Sequence, residues 1–275
     1  MNIHSNSRGY KMKTRTIMAL LLGAMMAFPT CKKTAQDVIS VQFTVGDVTI
    51  ITASGEKAAR AGEPVSFDDI IVTGASSFVD INFGTRGVIR LVENSLVKMT
   101  ALKTETGTDQ VQFAMDKGKI LVVMAKLSKE SGFSVKTRTT IAAIRGTSFM
   151  VVSDPKDSRI YVLKGKILVQ LAREGKLAAG IEKMLEADKK IVVSEDLAKE
   201  IIAGKKQLEV VPMTPKESAD IKKEMKDIKV NEKLDQDALK EFNEITSDSE
   251  KKTGGTQGTM KRQDAPKDIQ SIPSL

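Results

Sequence analysis

In several runs between Val38 and Val193 apolar residues recur at every second position, and that period restricts those runs to half-buried strands that share a core. Ile39, Val41, Phe43 and Val45 fall on one face of an extended chain and Ser40, Gln42 and Thr44 on the other, and Gly46-Asp47 ends the run before Val48 to Ile51. Val79, Ile81 and Phe83 alternate with Asp80 and Asn82, Ile89 and Leu91 flank Arg90, and Phe133 and Val135 alternate with Ser134 and Lys136. A weak repeat overlies this pattern. Val41-Gln42-Phe43 returns as Val111-Gln112-Phe113, and Gly118-Lys119-Ile120-Leu121-Val122 returns as Gly165-Lys166-Ile167-Leu168-Val169. Each unit reads as strand, glycine corner, strand, because glycine takes a positive φ at low cost. The expected fold is an all-β main domain, a solenoid-like roll or sandwich of short antiparallel strands, with a C-terminal helical extension and a disordered tail.

The extension spans 194–250, where Lys, Glu, Leu and Ile replace the β-branched residues. Ile221, Met225 and Ile228 follow helical spacing after Pro215, and Leu239, Phe242 and Ile245 form a second short stripe. Both stripes are read as faces packed on the domain. Residues 251–275 hold too few apolar side chains to fold alone and are expected to be disordered.

Residues 1–30 read as a signal peptide: Arg8, Lys11, Lys13 and Arg15 lead, without an acid, into an apolar run from Ile17 to Phe28. The run is shorter than the roughly 20 residues of a spanning helix and is closed by Pro29. Met1 and Met12 both serve as a start for this layout. Cys31, the only cysteine, follows at once, so it has no partner for a disulfide within the chain. Its place resembles the lipobox of bacterial lipoproteins, in the relaxed form of spirochaete lipoproteins, with Phe28-Pro29-Thr30 ahead of it. The resemblance implies a covalent lipid on Cys31 and a lipidated tether over 31–37; the alternative is a free thiol beside an ordinary cleavage site at Ala27 or Thr30. No other cofactor is expected. A multiply acylated cysteine anchors stably, since each buried methylene adds ~0.8 kcal/mol. Lys32-Lys33 favours an anionic surface, so the inner membrane, facing the periplasm, is expected in preference to the outer membrane.

Chemistry based on histidine or thiol is excluded after His4 and Cys31, the only residues of their kinds, and no glycine precedes the Lys-Ser or Lys-Thr of a phosphate loop. The chain is therefore read as a non-enzyme without a small-molecule substrate. Asp68-Asp69 is read as a solvated turn, because strand neighbours point to opposite faces. The sharpest contact candidate is Arg145-Gly146-Thr147, in which glycine would admit a close backbone and arginine would fork to a carboxylate; the plainer reading is a tight bend. Nucleic acid is excluded as a partner on charge and aromatics. The 43 Lys and Arg against 35 Asp and Glu lose four cations with residues 1–30, and the remainder has no Trp and only Tyr161.

Ala61-Gly62-Glu63-Pro64-Val65 through Asp69-Ile70-Ile71-Val72-Thr73-Gly74, then Val79 to Gly84, Val88 to Leu91 and Asn94-Ser95-Leu96, form an ordered set. It continues with Phe133 to Thr137, Ile144-Arg145-Gly146-Thr147-Ser148-Phe149-Met150-Val151 and Tyr161-Val162 to Gly165-Lys166-Ile167. Together these are similar to the FecR domain, over 38–193. Departures are Gly84-Thr85-Arg86-Gly87 in place of an Asp-Gly turn, and Ala187-Asp188-Lys189 where a late glycine is common. The resemblance implies an extracytoplasmic all-β domain that works by protein contact and, in its name-giving members, belongs to a sigma-factor regulator sensing an outer-membrane receptor. The expected function is a lipid-anchored envelope module, protein-binding or structural, that contacts an envelope protein or the cell wall. The alternatives are a signalling regulator acting through a separate membrane protein, and a surface adhesin.

Overall fold

The computed structural model describes residues 39–103, 109–126, 132–174, 176–230 and 234–251. Thirteen strands come first: β1 (Ser40–Val45), β2 (Val48–Thr52), β3 (Gly55–Ala58), β4 (Ile70–Thr73), β5 (Phe78–Asn82), β6 (Gly87–Leu91), β7 (Leu96–Lys103), β8 (Asp109–Met124), β9 (Gly132–Lys136), β10 (Thr140–Ser153), β11 (Asp157–Arg173), β12 (Lys176–Glu186) and β13 (Lys189–Ser194). Helix α1 (Glu195–Ile202), a two-residue strand β14 (Val211–Pro212), helix α2 (Pro215–Lys226) and helix α3 (Gln236–Lys251) follow. The main part is all-β with a C-terminal helical part, as the alternation and the two stripes predict. The tail beyond Lys251 lies outside the described residues.

All the strands belong to one sheet, in the order β14-β13-β11-β10-β9-β8-β7-β4-β2-β3, with β1, β5, β6 and β12 joined at its sides. It winds on itself because its longest strands bend and change partners. The first half of β8, Asp109–Lys117, pairs with β7, and its second half, Gly118–Met124, pairs with β10. Thr140–Ile144 of β10 pairs with the far half of β11, and Thr147–Ser153 with the near half. The strands are thus longer than expected, at 16, 14 and 17 residues for β8, β10 and β11. The glycine corners bend a strand without ending it: Gly118 stands at φ +130° and Gly146 at φ +110°, where a β-carbon is disfavoured.

One pairing departs from the antiparallel expectation. β9 runs parallel to the first half of β8, from Gln110↔Gly132 to Ala114↔Lys136. Parallel neighbours need a long crossover, and here the second half of β8 supplies much of it.

The inner face holds the principal core, in which Phe83, Phe113 and Phe133 meet with ring centroids 5.7, 6.3 and 5.3 Å apart. Helix α1, capped by the Ser194 hydroxyl accepting from the Leu197 N–H at 3.1 Å, adds Ala198 and Ile201 to that core. Helices α2 and α3 form an arm on the opposite, outer face. Thr214 and Glu217 close a capping box with Pro215 in the first turn of α2, and the box sets where the arm begins. Residues 203–213, within the stretch expected to be helical, are not: Val211 and Pro212 pair with Lys190 and Lys189 of β13. Among the described residues no helix is long and apolar enough to cross a membrane.

Candidate functional site

Cys31 and the tether lie outside the described residues. Arg145 sits in β10, with its side chain outside what is described, and Gly146-Thr147 form the bend of that strand. A β-carbon on Gly146 would stand 2.5 Å from Lys126 Cα and 3.0 Å from the Ala125 carbonyl oxygen, so the backbone that this glycine admits is the pair of residues just past β8. Thr147 is fully buried, and its hydroxyl donates to the Lys166 carbonyl at 3.3 Å. Asp68 and Asp69 do not act together. Asp68 pairs with Lys98 at 3.1 Å, while Asp69 accepts the Ser66 N–H at 2.8 Å and fixes the turn.

The structure brings together a different set of groups on the outer face. Val88 of β6, Leu121 and Val123 of β8, Met150 of β10, and Tyr161 and Leu163 of β11 form an apolar strip. The arm covers it with Ile221, Met225, Ile228, Phe242 and Ile245. Each such side chain is worth ~1.5–3 kcal/mol when fully buried. The strip explains why Ile120-Leu121-Val122-Val123-Met124 is apolar throughout: Ile120 and Val122 enter the inner core while Leu121 and Val123 enter the outer one. Broken alternation in 120–124 and 160–163 was the available sign that these strands are covered on both faces.

At the edge of the strip, Asp80 and Arg90 face each other across β5 and β6. Half-buried alternation would leave them in water, yet Asp80 is 0% and Arg90 6% exposed. The guanidinium grips the carboxylate in a fork, Nε to Oδ1 at 2.6 Å and Nη2 to Oδ2 at 2.7 Å, and stacks 4.2 Å from the Phe78 ring centroid. The arm seals the pair. Arg90 Nη2 donates to the Asp227 carbonyl at 2.9 Å, just past the C-terminus of α2 where the helix dipole is negative, and the Lys229 N–H donates to Asp80 Oδ2 at 3.3 Å. Farther along, the Asp235 N–H donates to the Thr85 carbonyl at 3.1 Å.

Among the described residues, ion pairs join sheet and arm at Lys119 with Glu224 at 2.7 Å, Lys164 with Glu244 at 2.7 Å, and Lys190 with Glu217. In each, the lysine belongs to the sheet and the glutamate to the arm. The hydrogen bond from Lys190, aided by the capping-box contacts of Thr214, holds the Glu217 carboxyl below the ordinary glutamate range, and the bond from Lys164 does the same for Glu244. Burial pushes Glu241 the other way, and it also raises the Tyr161 hydroxyl.

The sheet that carries this seat has relatives. Residues 69–168 match the FecR protein family. The FecR match runs from the residue before β4 into the far half of β11, and so takes in Asp80, Arg90, Lys119, Lys164 and the whole apolar strip, while Lys190 and the arm lie outside it. Two crystal structures of a candidate anti-sigma factor from Parabacteroides distasonis, at 1.65 and 2.50 Å resolution, are similar at 15% and 18% identity, with TM-scores of 0.40 and 0.31. The alignments cover 56% and 55% of this chain, and the chain spans 64% and 59% of those structures, under two thirds of their length. No curated protein sequence matches the chain.

Proposed function

We propose that the chain is a non-catalytic envelope signalling regulator, a lipid-anchored protein whose FecR-like sheet makes protein contacts outside the cytoplasm and passes envelope state to a separate membrane protein. The observation that carries this reading is the FecR match over 69–168, because it falls on the winding centre of the sheet and on the strip beneath the arm. The lone cysteine directly behind a signal-like segment supports a lipid anchor at Cys31, and Lys32-Lys33 supports the inner membrane, facing the periplasm.

The test is capture by the full chain, crosslinked in cells and recovered from solubilised membranes. The expected catch is a membrane-spanning regulator or a receptor signalling domain. Recovery of cell-wall fragments alone would favour a structural module, and loss of the protein when intact cells meet protease would favour an adhesin. Radioactive palmitate should label the parent and not Cys31→Ser; equal labelling of both would remove the anchor from the proposal.

A further inference from the structure

The outer face and the arm are complementary in a one-sided way. The ion pairs of Lys119, Lys164 and Lys190 each set a sheet lysine against an arm glutamate, and Arg90 meets the negative end of α2. Beneath α2 and α3 the strip receives side chains from their apolar faces, and neither helix pairs with a strand. What the seat recognises is therefore generic: an amphipathic helix with an apolar stripe, carboxylates beside it and its carbonyl end on Arg90.

We propose that this outer face is a helix-receiving groove, that its external ligand is an acidic amphipathic helix of the regulatory partner, and that the chain's own arm is the resting occupant. Charge complementarity selects the ligand, since Lys119, Lys164 and Lys190 would repel a basic helix. Binding is an exchange: the incoming helix buries the strip as the arm leaves, so the apolar surface need not stand bare in water. Covalent linkage gives the arm an effective concentration in the millimolar range, and an external helix competes once the arm is weakened or cut free. The inference rests on the reading that this protein acts by protein contact, and it adds the place and the chemistry of that contact.

The probe is a labelled synthetic peptide of residues 214–251, offered to three full-length chains: the parent, E217K/E224K/E244K with its arm weakened, and K119E/K164E/K190E with its seat reversed. The weakened-arm chain should bind the peptide about tenfold tighter than the parent, and the reversed seat should lose that binding and accept a peptide carrying the three Glu→Lys changes. As a control on folding, the unaltered seat is tested in a chain cut within the exposed 205–207 segment with both pieces retained; the peptide should enter and expel the resident piece. A cut chain that keeps its arm and takes up no peptide would overturn the groove, as would equal binding of the acidic peptide by both charge variants. Either result would leave the regulator reading standing if capture still recovers a membrane regulator.

Discussion

The rolled sheet and the helical arm are both held by apolar burial, but they are held in different ways. The sheet is held by its backbone: β8, β10 and β11 each pair with several neighbours, and the bends at Gly118 and Gly146 allow one strand to serve two parts of the roll. The arm touches the sheet through apolar side chains, the ion pairs of Lys119, Lys164 and Lys190, the Arg90 guanidinium on the Asp227 carbonyl, and backbone N–H bonds from Lys229 to the Asp80 carboxylate and from Asp235 to the Thr85 carbonyl. Removing a sheet corner should therefore damage both regions, whereas removing an arm contact should release only the arm. The difference marks the sheet as the scaffold and the arm as a part docked on it through side chains.

The largest expected effect breaks the scaffold. Gly146→Val combines a disfavoured φ with a β-carbon 2.5 Å from Lys126 Cα, and should cost about 4 kcal/mol or more in urea unfolding, with sheet and arm lost together. Next is the buried pair. Arg90→Met leaves the Asp80 carboxylate buried without its partner and should cost about 3 kcal/mol, with faster hydrogen exchange concentrated in the arm. The double variant Asp80→Leu/Arg90→Met should recover most of that stability, since two apolar groups replace two desolvated charges; no recovery would mean that the pair itself organises the sheet. Thr214→Ala removes the capping-box hydroxyl and should cost about 1 kcal/mol, read as fraying of α2 with the sheet unchanged.

The smallest effect is the response to acid. Glu217 and Glu244 are held below their unfolded values, so their contribution is complete above the ordinary glutamate value of about 4.3 and is lost as pH falls through the lower folded values. Glu241 opposes them: burial raises it, so its ionised form weakens the folded state at higher pH and protonation relieves that penalty. Glu241 protonates first as pH falls, and below the ordinary glutamate value the loss of the Glu217 and Glu244 contributions predicts a loosening of the arm, seen as faster exchange in the arm under a pH titration with β10 and β11 unaffected.

Much of the scaffold was legible in the sequence because its signals are local. Alternation around Val41, Ile81, Leu91 and Val135 marks strands, and Gly118, recurring as Gly165, marks a bend, because each depends on residues a few positions apart. The stripe of Ile221, Met225 and Ile228 likewise faces the sheet, while in α3 the buried face includes Ala238 with Phe242 and Ile245, and Leu239 lies at its margin. The candidate site was less legible because its parts come from far apart in the chain. Asp80 and Arg90 read as solvent-facing members of two strands until a backbone carbonyl at Asp227 closes over them. Parallel pairing of β8 with β9 and the short Val211–Pro212 pairing with β13 also depend on which distant strand edge is free, and no local pattern records that. In Arg145-Gly146-Thr147 the glycine belongs to the strand bend, where a β-carbon would meet the Lys126 backbone.

The most direct test of the division into scaffold and movable arm is hydrogen exchange on the full, unaltered chain, resolved by segment. Amides of α2 and α3 should exchange through an opening of clearly lower free energy than those of β8, β10 and β11, and with a smaller denaturant dependence, because that opening exposes only the arm and the strip beneath it. If arm and sheet amides instead share one opening free energy and one denaturant dependence, the arm is an inseparable part of the fold and the account is wrong.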